Sequence, residues 1–402
     1  MSEEKLVPKL RFSGFDDEWI EEKLGNLVQI KSGECTKNLI TGIDNSIPYF
    51  KVEQLNNSLK YQIKTPYFIN DKSKIVNKGS IIFPKRGAAI LLNKIRILNQ
   101  DSFMDTNLMT LTPNNKLYNE FLYYFIYKEN LSKIADTTSI PQLNNKHIKP
   151  YPIKLPSFEE QLKISKFISS VDKKVALLSQ NLEIFNDFKK GLLQQIFTQK
   201  LRFDDNCQYK TKQVKDFLIE SKIEGIDDIN KRLTVKLNLK GITVRESKTI
   251  EIEGATKQFI RKTGQFIYGK QNLHKGAFGI IPKELDGYLT SSDIPSFDFK
   301  GGIEPKWFYY YFARKSFYEK LENLSTGTGS KRISPKEFLN IKIIVPEFKE
   351  QHKIVCLLEK FDEKINGISN QIVQMNMFKK SLLQQMFVVQ LILSLLQNKK
   401  HI

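Results

Sequence analysis

The chain has 402 residues, 40% hydrophobic and 11% aromatic, too long for one ordinary core and apolar enough to pack two or more. Its net charge of +19 and pI near 9.5 point to a polyanionic partner, nucleic acid before an anionic membrane surface. Cys35, Cys207 and Cys356 are isolated and the four histidines lack metal-ligand spacing, which excludes a disulfide frame and a zinc site and fits a reducing cytoplasm.

The N-terminus is charged and holds no apolar signal core. KLRF stands at residues 9–12 and returns at 200–203. Short β-rich runs at 27–30, 80–83, 90–92 and 108–111, bounded by Gly, Asn and Pro, predict strands of a first globular domain, residues 1–156. Residues 117–135, LYNEFLYYFIYKENLSKIA, predict an aromatic helix that faces a core rather than nucleic-acid bases. A polar loop, DTTSIPQLNNKH, and a short strand at 151–155 follow.

A long spacer helix is expected over 157–199, opened by Pro156 and a capping box of Ser157 and Glu160. Its apolar residues step by four and three: Ile164, Ile168, Val171, Val175, Leu178, Leu182 and Phe185, continued by Lys189, Leu192 and Ile196. That heptad seam is the mark of a coiled coil. About 40 residues at 1.5 Å each give roughly 60 Å.

Residues 200–346 repeat the order as a second globular domain. TGQFIYGKQN at 263–272 answers KGSIIFPKRGA at 78–88, KWFYYYFARKSFYEKL at 306–321 answers the first aromatic helix, and STGTGSKRISPKE at 325–337 is the polar loop before a strand at 341–345. Residues 345–387 then repeat 155–197 at an offset of 190 with no gap and 18 of 43 positions identical. The second spacer, 347–390, carries the seam Ile354, Leu358, Phe361, Ile365, Ile368, Ile372 and Met375, with Lys379 where the first copy has Lys189. Matching seams predict an antiparallel coiled coil with a globular domain at each end. The fold class expected is α+β, with two mixed α/β domains in tandem and two long helices. A tail, 391–402, completes the chain. Its apolar run VVQLILSLL, 388–396, has no counterpart after Phe197 and is about half a membrane span. It continues the helix, packs on a partner or reflects a shifted frame.

The charge is uneven: +6 on residues 1–156, +1 on 157–199, +9 on 200–346 and +3 on 347–402. Turn-forming stretches in the two domains are the candidate DNA contacts, because their side chains pair with phosphates or base edges. They supply Lys31, Ser32, Lys85, Arg86, Thr138 and Gln142 in the first domain. In the second they supply Lys270, Gln271, Asn272, Ser330, Lys331 and Arg332. Asp362, Glu363 and Lys364 read as a solvated charge cluster. There is no GxxxxGK[ST] phosphate loop, dinucleotide fingerprint or NPP[FY] methyltransferase motif. No catalytic centre, metal site or bound cofactor is therefore expected. A fused restriction or methylation enzyme, or a coiled-coil interaction protein with incidental charge, are the competing readings.

The P-x-F-x-E-Q-x-x-I starts at 156–164 and 346–354, the LLQQ-x-F ends and the KLRF openings resemble the specificity subunit of type I restriction-modification systems. The resemblance covers nearly the whole chain. It implies two target-recognition domains, each reading half of a bipartite site in double-stranded DNA. It also implies helical spacers that dock two methyltransferase subunits and, through them, motor-nuclease subunits. S-adenosylmethionine, ATP and Mg2+ would then belong to those partners, and the chain itself would be a non-catalytic cytoplasmic protein that touches no membrane.

Overall fold

The computed structural model describes residues 4–36, 39–41, 46–71, 75–136, 140–246, 254, 256–325 and 331–393. It divides into two compact units, Met1–Leu178 with Asn370–Ile402, and Ser179–Ser369. Each unit takes one globular domain and one half of each long helix.

In unit 1 the main sheet is built from β1 (Val28–Ser32), β2 (Tyr61–Gln62), β3 (Ile81–Pro84), β4 (Arg96–Leu98) and β5 (Leu108–Pro113), in the order β1-β5-β3-β4-β2. All pairs are antiparallel except β4 with β2. β3 reads IIFP and is buried at every position, because both faces of the sheet are covered. Against it packs α1 (Asn119–Glu129), which buries Phe121 through Ile126. The predicted 19-residue helix is shorter than expected. Asn130 adopts φ +61, ends α1, and accepts the Ser132 N–H at 3.1 Å to cap a separate turn, Leu131–Ile134. The run at 90–92 is not a strand either: Ala88–Ile90 is a 3-10 turn, and Leu91 and Leu92 are exposed.

The long helix α2 (Phe158–Phe197) follows the strand Pro152–Leu155, which pairs antiparallel with Ile20–Lys23. Ser157 caps it through the Glu160 N–H at 3.3 Å, but the Glu160 carboxylate does not turn back to complete a capping box. It is buried and held by both guanidinium arms of Arg11, from the first KLRF, at 2.8 Å.

Unit 2 repeats this plan with β6 (Leu218–Ser221), β7 (Phe266–Tyr268), β8 (Phe278–Ile280) and β9 (Ser296–Phe299), ordered β6-β9-β7-β8 and all antiparallel. α3 (Pro305–Phe312) buries Trp307, Phe308 and Phe312 on the sheet. The strand Lys342–Pro346, paired with Tyr209–Gln213, leads into α4 (Phe348–Phe387). The aromatic helices are therefore core in both units, as their spacing implied. Helix α4 stops at Phe387, and the backbone of Val389–Leu393 pairs antiparallel with Glu4–Pro8. The helix is not continued over 389–393, and the rest of the tail, 394–402, lies outside the described residues.

The seam holds. In unit 1, Ile164, Ile168 and Val171 of α2 share a core with Leu382, Leu383 and Met386 from the far end of α4. In unit 2, Ile196 of α2 shares a core with Ile354, Val355 and Leu358 from the start of α4. In each unit the two helices thus run antiparallel. Every seam position is buried or half-buried, from Ile164 to Phe185 and from Ile354 to Met375. The seam lysines are half-buried in ion pairs. Lys379 Nζ lies 2.6 Å from Asp172, which also accepts the Tyr124 hydroxyl at 2.7 Å. Lys189 pairs with Asp362, which accepts the Tyr310 hydroxyl at 2.5 Å. Asp362 is thus a structural anion, not part of a solvated cluster, while Glu363 and Lys364 are exposed. Burial first, then the aspartate, raises the pKa of both tyrosines.

The glutamine of each E-Q pair tethers helix to domain. Gln161 is fully buried. It accepts the Tyr118 N–H at 2.8 Å and donates to the carbonyls of Lys116 and Pro156. Gln351 repeats this with the Glu304 N–H at 2.8 Å and the carbonyls of Gly302 and Pro346. Among the described residues no helix is long and apolar enough to cross a membrane. Replacing Gln161 or Gln351 by Ala strands buried backbone groups and should cost about 1–3 kcal/mol each. Urea unfolding of each variant measures this, and a loss at only one of the two sites would break the equivalence of the repeats.

Candidate nucleic-acid interface

The candidate contacts of unit 1 gather where β3 runs out. Past Pro84, the Lys85 N–H donates to the Asn107 carbonyl and the Lys85 carbonyl accepts from Leu143, both at 2.8 Å. Gly87, at φ +84 with open space around it, turns the chain and donates to the Pro141 carbonyl at 2.9 Å. A left-handed turn of this kind suits a residue without Cβ. Gln142 closes a second bridge, exchanging backbone bonds with Asp136 at 2.9 and 3.0 Å. Lys85, Arg86 and Gln142 therefore lie together on one rim. The Arg86 side chain is exposed, whereas Lys85 is half-buried, and burial followed by the charge of Arg86 lowers its pKa.

Lys31 and Ser32 do not belong to that rim. IKSG is not a turn but the end of β1, paired with β5 through Met109↔Ser32 and Thr110↔Lys31. Lys31 Nζ donates to the Ile75 carbonyl at 2.9 Å. Gly33 serves close packing: a Cβ there would fall 1.8 Å from the Asp105 carbonyl oxygen. The glycine that suggested a turn is required by the close backbone at Asp105, in the loop that leads into β5.

Unit 2 builds the same corner. Past β7, the Lys270 N–H donates to the Asp293 carbonyl and its carbonyl accepts from Ile333, both at 2.9 Å. Lys270 thus stands where Lys85 does, Gln271 where Arg86 does, and Arg332 where Gln142 does. Gln271 is exposed, while Asn272 N–H closes the turn onto Gly269 at 2.9 Å. Arg332 reaches Asp293 at 3.1 Å, and Lys331 reaches Glu322 at 3.0 Å, which lowers the pKa of that glutamate. Thr138 and Ser330 lie outside the described residues.

Beside this corner opens a cleft of about 560 Å³ that Lys270 shares with Lys222, Lys257, Phe259 and Lys336. None of the other three lysines was a candidate from sequence. Lys336 had a legible signal: it follows Ser334 in a capping box with Glu337. Its counterpart in the first repeat is Lys146, which follows Asn144 at a similar box and pairs with Asp136 at 3.1 Å. Lys222 and Lys257 flank strands that only folding brings beside Lys270, and each pairs with a glutamate of the same cleft, Glu220 and Glu224. Behind the cleft, Arg261 is buried. It donates to Thr290 Oγ1 at 2.6 Å, Ser296 Oγ at 2.7 Å and the carbonyls of Ser221 and Ile294, and burial pushes its pKa down to about 10. It braces the cleft rather than lining a DNA surface. Among the described residues no cluster of His, Cys, Asp and Glu could hold a metal ion.

Comparison with known proteins follows the same division. A family model described as the type I restriction modification DNA specificity domain matches twice, at residues 16–184 and 209–375. The chain is 22% identical over 398 residues to the type I restriction enzyme MjaVIII specificity subunit of Methanocaldococcus jannaschii, covering 91% of each. The S subunit of a type I restriction-modification system from M. genitalium superposes with a TM-score of 0.58 at 15% identity, over 95% of this chain and 99% of that one. A chain from a structure of type I R-M complex assembly gives 0.54 at 13% identity, over 94% and 99%. These structures share the fold. Since the family model falls once on each copy of the internal repeat and together covers most of the sequence, the chain belongs to the type I restriction-modification DNA specificity family.

Proposed function

We propose that the chain is the sequence-reading subunit of a type I restriction-modification complex. Each globular domain reads one half of a bipartite duplex target, and the paired helices scaffold two methyltransferase subunits and, through them, motor-nuclease subunits. The chain supplies no catalytic group of its own. S-adenosylmethionine, ATP and Mg2+ act in the partners, in the cytoplasm.

One observation carries this reading. The same backbone corner is built twice, with a lysine kept at its centre and the flanking side chains changed, from Arg86 and Gln142 to Gln271 and Arg332. A shared lysine suits the phosphate backbone, which is the same at every site. Exchanged Arg and Gln suit base edges, where Arg prefers guanine and Gln prefers adenine. Lys146, paired with Asp136, and Lys336 stand beside the two corners. This is the pattern expected of two domains that dock on DNA alike and read different bases.

Binding of the free chain to DNA should fall steeply as salt rises, since each neutralised phosphate releases counterions. A mobility-shift titration between low and physiological salt tests this, and salt-independent binding would speak for a protein-only role. Arg86→Ala and Arg332→Ala should each weaken one half-site by about 1–3 kcal/mol. Arg332→Ala also frees Asp293, so Asp293→Asn is the control for its ion pair. Competition with targets altered in one half reads both effects. The decisive experiment replaces residues 1–156 by the corresponding domain of a relative and maps methylated adenines in cells. One half of the methylated site should change and the other persist. A change in both halves, or methylation independent of the chain, defeats the bipartite reading.

A further inference from the structure

The two units differ at one sheet edge. In unit 1, β2 closes the outer edge of β4: the Ile97 N–H donates to Lys60 O at 2.8 Å and the Asn99 N–H to Gln62 O at 3.1 Å. The same segment drives a cation against the helices. Lys60 Nζ lies 2.8 Å from Glu120 Oε2, 2.9 Å from the Tyr124 hydroxyl and 3.2 Å from Ser169 Oγ. Tyr61 donates its hydroxyl to Glu120 beside it.

Among the described residues of unit 2, no strand takes that place, and the sheet ends at β8. The ladder to β7 is closed by Ile281 N–H on Gln265 O and Gly269 N–H on Ala277 O. Antiparallel alternation then turns the backbone groups of Phe278 and Ile280 to the outer side. Outside this edge lies an open groove of about 580 Å³, bounded by Ile242 and Ile280 on one side and by α3 and α4 on the other. Its helical wall is made of the positions that hold Lys60 in unit 1. Tyr310 stands for Tyr124, Lys306 for Glu120 and Glu359 for Ser169, and Glu363 adds a further exposed carboxylate. Lys306 and Glu359 pair with each other across the wall.

We propose that this groove is a docking site for an extended, lysine- or arginine-bearing segment of a protein partner. The segment adds as a strand to β8, as β2 does to β4, and its cation meets Glu359 and Glu363. A strand edge with no partner strand among the described residues, beside a side-chain groove, is the geometry of strand addition. With Asp362 taken up by Lys189 and Tyr310, the carboxylates of Glu359 and Glu363 still outnumber the single Lys306 on the wall, which favours a cation and disfavours DNA. The inference rests on the reading that the chain works within a methyltransferase complex, and the methyltransferase subunit of that complex is the probe.

The test uses the full chain with that purified subunit. Amide exchange at Ile280 should slow about tenfold or more when the complex forms. Reversing charge, Glu359→Lys with Glu363→Lys, should weaken the complex by about tenfold or more. Lys306→Glu, which restores the unit 1 charge, should not weaken it. DNA binding by the free variants checks that they are folded. Unchanged exchange at Ile280, unchanged affinity of the charge-reversed variant, or protection already present in the free chain overturns the proposal. If a complex forms and only these readouts fail, the groove is wrong and the proposed function stands. If no complex forms, both fall.

Discussion

A lysine in an otherwise apolar helix seam is an expensive choice, and this chain makes it twice. Lys189 and Lys379 give up most of their exposure to reach Asp362 and Asp172, each of which is also held by a tyrosine of the aromatic helix. Apolar residues at those positions would bury more surface, and a half-buried ion pair gains little net stability over them. What it adds is selectivity, because an unpaired seam lysine is strongly disfavoured. On each helix the aspartate precedes the lysine by 17 residues, Asp172 to Lys189 and Asp362 to Lys379. One antiparallel register therefore satisfies both pairs. The tyrosines make the same choice visible to the domains, since Tyr124 and Tyr310 lie on the helices that cover the two sheets. Helix register and domain placement within each unit are fixed by one pair of carboxylates.

The rest of each unit is arranged so that its surface can vary without disturbing this frame. Gln161 and Gln351 tie helix to domain through backbone groups alone, so the tether does not depend on which side chains surround it. The corner after β3 and β7 is likewise held by main-chain bonds of Lys85 and Lys270. The side chains that flank it, Arg86 and Gln142 or Gln271 and Arg332, carry little of the packing. Such separation of scaffold from reading surface lets a loop residue change its chemistry at small cost in stability.

The long helices were legible because a heptad repeats the same demand ten times over, and the internal repeat states it twice. The tandem domains were legible for the same reason. Single positions were harder. Gly33 looked like punctuation, yet it is a contact point for the Asp105 carbonyl. The apolar run at 90–92 looked like a strand, yet Gly87 had already turned the chain and left Leu91 and Leu92 outside. Asp362 looked solvated because nothing in its neighbourhood along the chain names Lys189 and Tyr310 as partners. Lys222 and Lys257 were invisible as companions of Lys270 because the cleft they share is made by strands distant in sequence. Local pattern identifies elements, whereas contacts between elements decide what a charged residue does.

The two KLRF segments show how the chain is joined. After α2 the chain continues directly into the second, and the Leu201 N–H donates to Gln195 O at 3.1 Å. The first, at residues 9–12, is far from α4 in sequence, yet the Leu10 N–H donates to Gln385 O at 3.0 Å, near the end of that helix. Arg11 then grips Glu160, while in the second copy Glu350 accepts the Phe203 N–H at 2.8 Å. One joint is a peptide bond and its twin is a set of noncovalent contacts. The contact that chain continuity supplies in one unit is thus supplied through space in the other, so that each KLRF segment seats against the end of a long helix whether or not the peptide chain joins them.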